Sequence, residues 1–404
     1  MLTIEQLKFL RTHENFRGFE GVDGPTPIWL CEMQINKIPC DYSDPNLRFL
    51  FPAVGHGTYA IIMYWKLMNS LSKIFIDKEK RSRHILENML YLIEIKPNFC
   101  RWLRQDGFIN VIEGNYLDYI TKMKFDCIVA NYPFHKQVGP TNTEPIWHLF
   151  VTKSIELTKE NGFISAIHPS GWRNISGRFK NTQKEILSKK IFYLSIHNEK
   201  DGLSTFGAET RFDYYVLQNT QCDGTKTTVK FQDDNIESVV LDKMEFIPNG
   251  GINLLSTLIA NDDDEKVEVI HDESSYAHRK RHMSKTMNDG FIYPCIYTVN
   301  YLSEPNIWYS NTNINGHFGK PKVVWSNGRI SSVGSFIDNN GEYGLMEYSS
   351  AIVDKVENLT NIKRALDSKK FKDLMELCAV GMQTINYKVV SMFKKDFWKE
   401  FIDE

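Results

Sequence analysis

None of the seven cysteines (positions 31, 40, 100, 127, 222, 295 and 378) forms a C-x-x-C pair, and no histidine pair accompanies them. That spacing argues against a zinc site, and an odd, scattered set reads as reduced thiols in a cytosolic setting. The chain also lacks an excess of either charge: 48 Lys and Arg stand against 50 Asp and Glu, a formal net charge of −2. Without a global basic field, any nucleic-acid binding rests on a local basic surface. No apolar run approaches the roughly 18 residues of a membrane span. The mixed polar start MLTIEQLKFLRTHENF does not read as a signal peptide. What is present is globular: 404 residues, 42% hydrophobic and 24% charged, enough for two or three domains with full cores. Richness in Asn, Lys and Ile points to an AT-rich genome, as of a phage, virus or low-GC bacterium.

Periodicity predicts strands at 48–51, 91–95, 110–112, 125–130, 162–168, 190–197 and 213–218, with helices at 59–71, 97–103 and 146–158 between them. Strands alternating with helices through residue 220 indicate a parallel doubly wound sheet. Residues before 45 read as helices and loops, including Gly24-Pro25-Thr26-Pro27. After 220 the pattern changes to turns, a short acidic run at 261–265 that reads as a solvated loop, an irregular aromatic stretch, and helices at 362–376 and 388–401. The organisation is therefore residues 1–220, a transition over 221–250, and a second domain over 251–404. There is no internal repeat.

Four strand ends deliver ligand groups to one sheet edge, where open parallel sheets bind their ligands. Gly55-His56-Gly57 after the first strand lets backbone approach a ligand, although a tight strand-to-helix turn explains it equally well. Glu94 ends the second strand, placed for the hydroxyls of a ribose or simply as a surface carboxylate. Asn115-Tyr116 after the third offers an amide to a purine edge and a ring to its face. The fourth strand runs into Asn131-Tyr132-Pro133-Phe134: an amide that accepts from an exocyclic amino group, a proline turn, and a phenyl ring that stacks on a base. Trp147 and Trp172 read as core.

With these residues the chain resembles the amino-group DNA methyltransferases that use S-adenosylmethionine (SAM), above all the adenine-N6 group with a C-terminal target-recognition domain. Thr26-Pro27 looks like that family's N-terminal cofactor motif, and Phe51-Pro52-Ala53-Val54-Gly55-His56-Gly57-Thr58 like its acid-P-A-x-G-x-G-T loop. Residues 91–97 resemble its ribose-binding motif, 113–117 its adenine-binding one, and Asn131–Phe134 its N-P-P-F/Y tetrad. The resemblance spans about 20–220 and is vaguer over 310–400. It implies a doubly wound, Rossmann-like class I methyltransferase sheet followed by a mixed α+β recognition domain. It also implies SAM as cofactor, held by Thr26, Pro27, Pro52, Gly55, Gly57, Glu94, Asn115 and Tyr116, with Asn131, Tyr132, Pro133 and Phe134 catalytic. Double-stranded DNA is the implied partner. No nuclease arrangement sits in a convincing strand, so a restriction endonuclease would be a separate partner.

Three departures stand out. Phe51 replaces the acid before Pro52, so a polar contact to the methionine end of SAM is missing. Asn115 replaces an acid. Tyr132 replaces the first proline and with it the fixed φ of about −65°; a misplacement of about 1 Å costs on the order of 10²-fold in rate. The run His278-Arg279-Lys280-Arg281-His282-Met283-Ser284-Lys285 offers Arg279, Lys280, Arg281 and Lys285 to phosphates, or is a solvated loop. His135 and Lys136, just past the tetrad, are further DNA-contact candidates. Two alternatives stay open: a degenerate relative that binds DNA or a partner without transferring methyl groups, and a methyltransferase acting on RNA or protein.

Overall fold

The structure, a computed structural model, describes residues 3, 5–6, 26–272, 274–381 and 384–402. The helices and loops expected before residue 26, with Gly24 and Pro25, lie outside the described residues. The chain divides into two compact units, one through Glu245 and one from Phe246 on.

The first unit carries, in chain order, β1 (Phe49–Pro52), β2 (Leu90–Glu94), β3 (Asn110–Glu113), β4 (Phe125–Asn131), β5 (His135–Gln137), β6 (Thr143–Pro145), β7 (Thr158–Pro169), β8 (Lys189–His197), β9 (Phe212–Gln221), β10 (Thr227–Lys230) and β11 (Ile236–Val239). Nine of these strands form one sheet in the order β11-β10-β8-β9-β7-β4-β1-β2-β3, and β5 pairs with β6 as a separate hairpin. From β3 through β7 all neighbours are parallel. The sheet is nevertheless mixed, which corrects the all-parallel expectation: β9 enters antiparallel to both β7 and β8. An apolar run does not encode strand direction, and an antiparallel neighbour needs no crossover to the opposite edge. The stretch expected as a transition also contributes to the sheet, through the β10–β11 hairpin.

From residue 26 on, the α-helices of this unit are α1 (Ile28–Lys37), α2 (Thr58–Ser70), α3 (Lys78–His84), α4 (Pro97–Gln105), α5 (Trp147–Leu157), α6 (Lys180–Leu187) and α7 (Glu199–Phe206). Central strands β1 and β4 read as continuous apolar runs because the sheet is covered on both faces. Gly57 at the head of α2 has φ 81°, so the turn favours glycine; a Cβ there would also stand 2.6 Å from Leu103 Cδ2 of α4, which would have to shift. Gln34, fully buried on α1, donates to Ser165 Oγ of β7 at 3.2 Å and accepts from the Tyr59 hydroxyl of α2. This bond set docks α1, and hence Thr26 before it, against the sheet. Trp147 and Trp172 are buried, as the sequence implies.

The second unit is β-rich, with α8 (Ile252–Leu258), β12 (Glu268–His271), β13 (Met283–Ser284), β14 (Tyr293–Val299), β15 (Pro305–Ser310), β16 (Lys322–Ser326), β17 (Ser335–Asp338), β18 (Gly344–Leu345), β19 (Ser349–Val353), α9 (Val356–Asp367), α10 (Lys369–Cys378) and α11 (Tyr387–Val390). Two four-stranded sheets, β12-β19-β16-β17 and β13-β15-β14-β18, share a core of Ile296, Val299, Val324, Leu345 and Ala351. The helix expected over 362–376 is two helices. Ser368 breaks it with an extended backbone (ψ 146°) and caps α10, its hydroxyl accepting from Phe371 N–H at 3.1 Å. In place of a helix over 388–401 stand α11 and a 3₁₀ turn, Phe397–Phe401.

Candidate active site

Because β1 to β4 are parallel, their carboxyl ends share one edge. The chain leaves β1 for β2 on one side, while β4 lies on the other, so this edge contains a topological switch point. Glu94 ends β2 with only 5% of its surface exposed. Its Oε2 accepts from Gly55 N–H at 2.8 Å and its Oε1 from Lys96 N–H at 2.9 Å. Two charge-assisted bonds to fixed amides hold the carboxylate in place and leave each oxygen a second lone pair. The Gly55 loop, reached through buried Pro52, is left-handed (φ 56°), and a Cβ at Gly55 would meet no atom within 4 Å. The space over this loop is open. Ile95, next to Glu94, is an apolar side chain 62% exposed at the same strand end.

Two expected ligand positions are occupied otherwise. Tyr116 is 2% exposed, its hydroxyl 2.9 Å from Ser154 Oγ of α5 and its ring centroid 5.2 Å from that of Phe150. It faces the core and offers no ring to a base, a correction to the expectation above. Asn115 caps the 3₁₀ turn Tyr116–Asp118: its Oδ1 accepts from Leu117 N–H at 3.1 Å and its Nδ2 donates to Asp118 Oδ2 at 2.8 Å. The amide is engaged with its own turn rather than turned to a purine edge. Phe51 is 1% exposed and packs in the main core, so the position that would carry an acid points inward here.

At the end of β4, Asn131 Nδ2 donates to Thr26 Oγ1 at 3.2 Å. Pro27 begins α1 and accepts from the N–H groups of Leu30 and Cys31. Asn131 Oδ1 is buried and accepts no hydrogen bond among the described residues. A buried acceptor left open costs on the order of 1–3 kcal/mol, and native structures rarely keep one without a use.

Tyr132 is 1% exposed and donates its N–H to Ile167 O of β7 at 3.1 Å. In a parallel ladder, a residue that donates to one carbonyl accepts from the amide two residues further along the neighbouring strand. Counting from Ile167, that amide would belong to Pro169, which has none. The Tyr132 carbonyl accordingly accepts no hydrogen bond among the described residues. Among the described residues two acceptors, Asn131 Oδ1 and Tyr132 O, thus lie unpaired on adjacent residues. Pro133 and Phe134 follow half-buried, and the Phe134 ring meets that of Phe206, at the end of α7, edge-on at 5.9 Å. His168 beside Pro169 is fully buried, stacked on Trp147 at 4.4 Å. Burial pulls its pKa down to about 4, so it is neutral.

His135 and Lys136 lie exposed on β5, where Lys136 forms a cross-strand ion pair with Glu144 at 3.4 Å. In the second unit His278 is tied to Glu347, and His282 Nε2 lies 2.8 Å from Ser275 O. Arg279, Lys280, Arg281 and Lys285 are exposed and make no ion pair among the described residues. Four residues that the sequence reading does not propose for the site bear on it: Ile95, Ser154, Pro169 and Phe206. Only Ile95, adjacent to the strand-end acid, leaves a local signal.

A family profile described as Eco57I restriction-modification methylase matches residues 61–202, a segment that includes Glu94 and Asn131–Phe134. No curated protein matches the sequence. Among solved structures, a nuclease-deletion mutant of the Type ISP restriction-modification enzyme LlaGI in complex with a DNA substrate mimic aligns at TM-score 0.53 and 10% identity, over 98% of this chain and 55% of that one. The Type IIG restriction endonuclease BpuSI aligns at TM-score 0.46 and 10% identity, over 100% and 63%. The M protein of the Type I restriction enzyme EcoKI aligns at TM-score 0.41 and 13% identity, over 65% and 70%. The chain thus spans little more than half the length of the LlaGI structure, and at 10% identity that likeness is one of fold. The fold is a Rossmann-like class I methyltransferase sheet with an added β-rich unit. At the level of family, the likeness carried by residues 61–202 is to the SAM-dependent restriction-modification methyltransferases.

Proposed function

We propose that this chain transfers a methyl group from SAM to the N6 amino group of an adenine in double-stranded DNA. The observation that carries the reading is the pair of acceptors at the end of β4, Asn131 Oδ1 and the Tyr132 carbonyl, that have no hydrogen-bond partner among the described residues. An exocyclic amino group has two hydrogens. Holding both in hydrogen bonds draws the nitrogen lone pair out of conjugation with the ring and aims it. Phe134 stands next to them as the ring on which an extruded base stacks, at an unstacking cost of a few kcal/mol.

The edge also fits the cofactor. Glu94 keeps lone pairs for ribose hydroxyls, the Gly55 loop has open space above it, and Ile95 supplies the apolar surface that buried Tyr116 does not. When bound, SAM supplies a methyl group on a positively charged sulfur. Pro52, Gly55, Gly57 and Glu94 would hold it, and Thr26 orients Asn131 through the 3.2 Å bond. The β-rich unit would recognise the target sequence, with Arg279, Lys280, Arg281 and Lys285 on phosphates. His135 and Lys136 would approach the strand beside the extruded base. A restriction endonuclease on a separate chain would be the functional counterpart.

The test supplies methyl-labelled SAM with unmethylated genomic DNA, total RNA or bulk protein in parallel. Label is expected in DNA, and none with an Asn131→Ala variant that still binds SAM. Label confined to RNA or protein would change the substrate. Absence of label anywhere, with DNA still bound, would make the chain a non-catalytic DNA-binding relative.

A further inference from the structure

We propose that the side chain of Tyr132 is a positioning group: its hydroxyl, tied through Ser154 to Tyr116, fixes the backbone after Asn131 that a proline would otherwise stiffen. The inference rests on the methyl-transfer reading above and assigns to that site a device of its own. Tyrosine leaves φ free where proline would lock it near about −65°. The loss is offset from the side chain. The Tyr132 hydroxyl donates to Ser154 Oγ at 2.6 Å, and the Tyr116 hydroxyl lies 2.9 Å from the same atom. Ser154 is fully buried on α5, and its own carbonyl accepts from Thr158 Oγ1 at 2.7 Å. A hydroxyl has two lone pairs and one proton, so Ser154 can serve both phenols at once.

Three elements therefore meet at one oxygen: the end of β4, the turn after β3, and α5. The Tyr132 ring is held along its length as well, 5.5 Å from Phe150 and 6.4 Å from His168 with its plane within 5° of the imidazole. Burial raises both phenol pKa values, which keeps the hydroxyls protonated as donors around neutral pH. The main chain is held by the bond to Ile167 O. Pinned at amide, ring and tip, Tyr132 has little freedom to carry its carbonyl away from Asn131.

A purely structural role would give the hydroxyl the same value as any buried phenol in this core, and Tyr116 is the matched comparison. Tyr132→Phe and Tyr116→Phe each remove one hydroxyl from Ser154 and leave the other bond intact. Amide hydrogen exchange over 131–134 is measured in the free protein, with 125–129 of β4 as internal reference. Tyr132→Phe is expected to speed exchange at 131–134 on the order of fivefold over the reference, while Tyr116→Phe leaves the ratio unchanged. In turnover, Tyr132→Phe lowers kcat and leaves the KM for SAM unchanged. Equal changes in both variants, or an unchanged ratio in Tyr132→Phe, would overturn the inference. Exchange is read without cofactor or DNA, so it decides the anchor separately from the reading of function. A wild type that transfers no methyl group sinks that reading and, with it, the anchor's catalytic purpose.

Discussion

Replacing Pro169 by alanine puts an N–H where none exists, one ladder step beyond Ile167 and in register with the Tyr132 carbonyl. If that carbonyl is the acceptor for one amino hydrogen of the target base, the new amide competes for it. A net backbone hydrogen bond contributes about 1 kcal/mol, and one to a group gaining positive charge in the transition state about 1.5–3 kcal/mol. At 1.4 kcal/mol per tenfold, the expected fall in kcat is about 10- to 100-fold. Folding stability moves little: the gained bond is offset by the larger conformational entropy of the unfolded chain without proline, about 0.4–1 kcal/mol. The assay is single-turnover methylation at saturating SAM, with hydrogen exchange at residue 169 to establish that the new amide is bonded. A protected amide at 169 together with kcat within twofold of wild type would refute the reasoning.

Phe51→Asp, the change that would match the sequence motif, places a carboxylate in the main core and is expected to cost at least about 3 kcal/mol, read as a lowered urea midpoint, without raising activity. An active, equally stable variant would contradict the inward position of this side chain. His168 is pulled down to about 4 by burial, whereas in the unfolded chain it takes a proton below about 6.5. The unfolded state therefore binds more protons between those values. The histidine's contribution is complete above 6.5 and lost as pH falls toward 4, by up to about 1.4 kcal/mol per pH unit. Urea midpoints from pH 7 to pH 5 should show this slope, and His168→Phe should flatten it. Neutralising Arg279, Lys280 and Arg281 together should weaken DNA binding evenly across sequences and reduce the salt slope by roughly 0.9 for each phosphate that no longer has a cation beside it. An unchanged slope would leave this segment a solvated loop.

Seven strands of the first unit were legible because apolar runs bounded by Gly, Pro and Asn carry that signal locally; their order across the sheet, with β1 between β4 and β2, was not. The glycine at 57 was legible too, and its φ of 81° is what favours it. What escaped depends on partners distant in sequence. Tyr116 reads as an edge residue from its place after β3, but Ser154, 38 positions later, receives its hydroxyl and turns it inward. The open Tyr132 carbonyl depends on the register of β4 against β7, which sets Pro169 opposite it. No composition or spacing encodes that. The antiparallel β9 escaped for a similar reason, since its apolar pattern would serve either direction. In the second unit a single hydroxyl, that of Ser368, divides a helical pattern that hydrophobic periodicity reads as continuous.

The most direct test of the central claim is nucleoside mass spectrometry of unmethylated genomic DNA after incubation with the chain and SAM, because such DNA contains essentially every short site. N6-methyladenine is expected, and its loss in Asn131→Ala. N4-methylcytosine, or no modified nucleoside from folded protein that binds SAM, would contradict it.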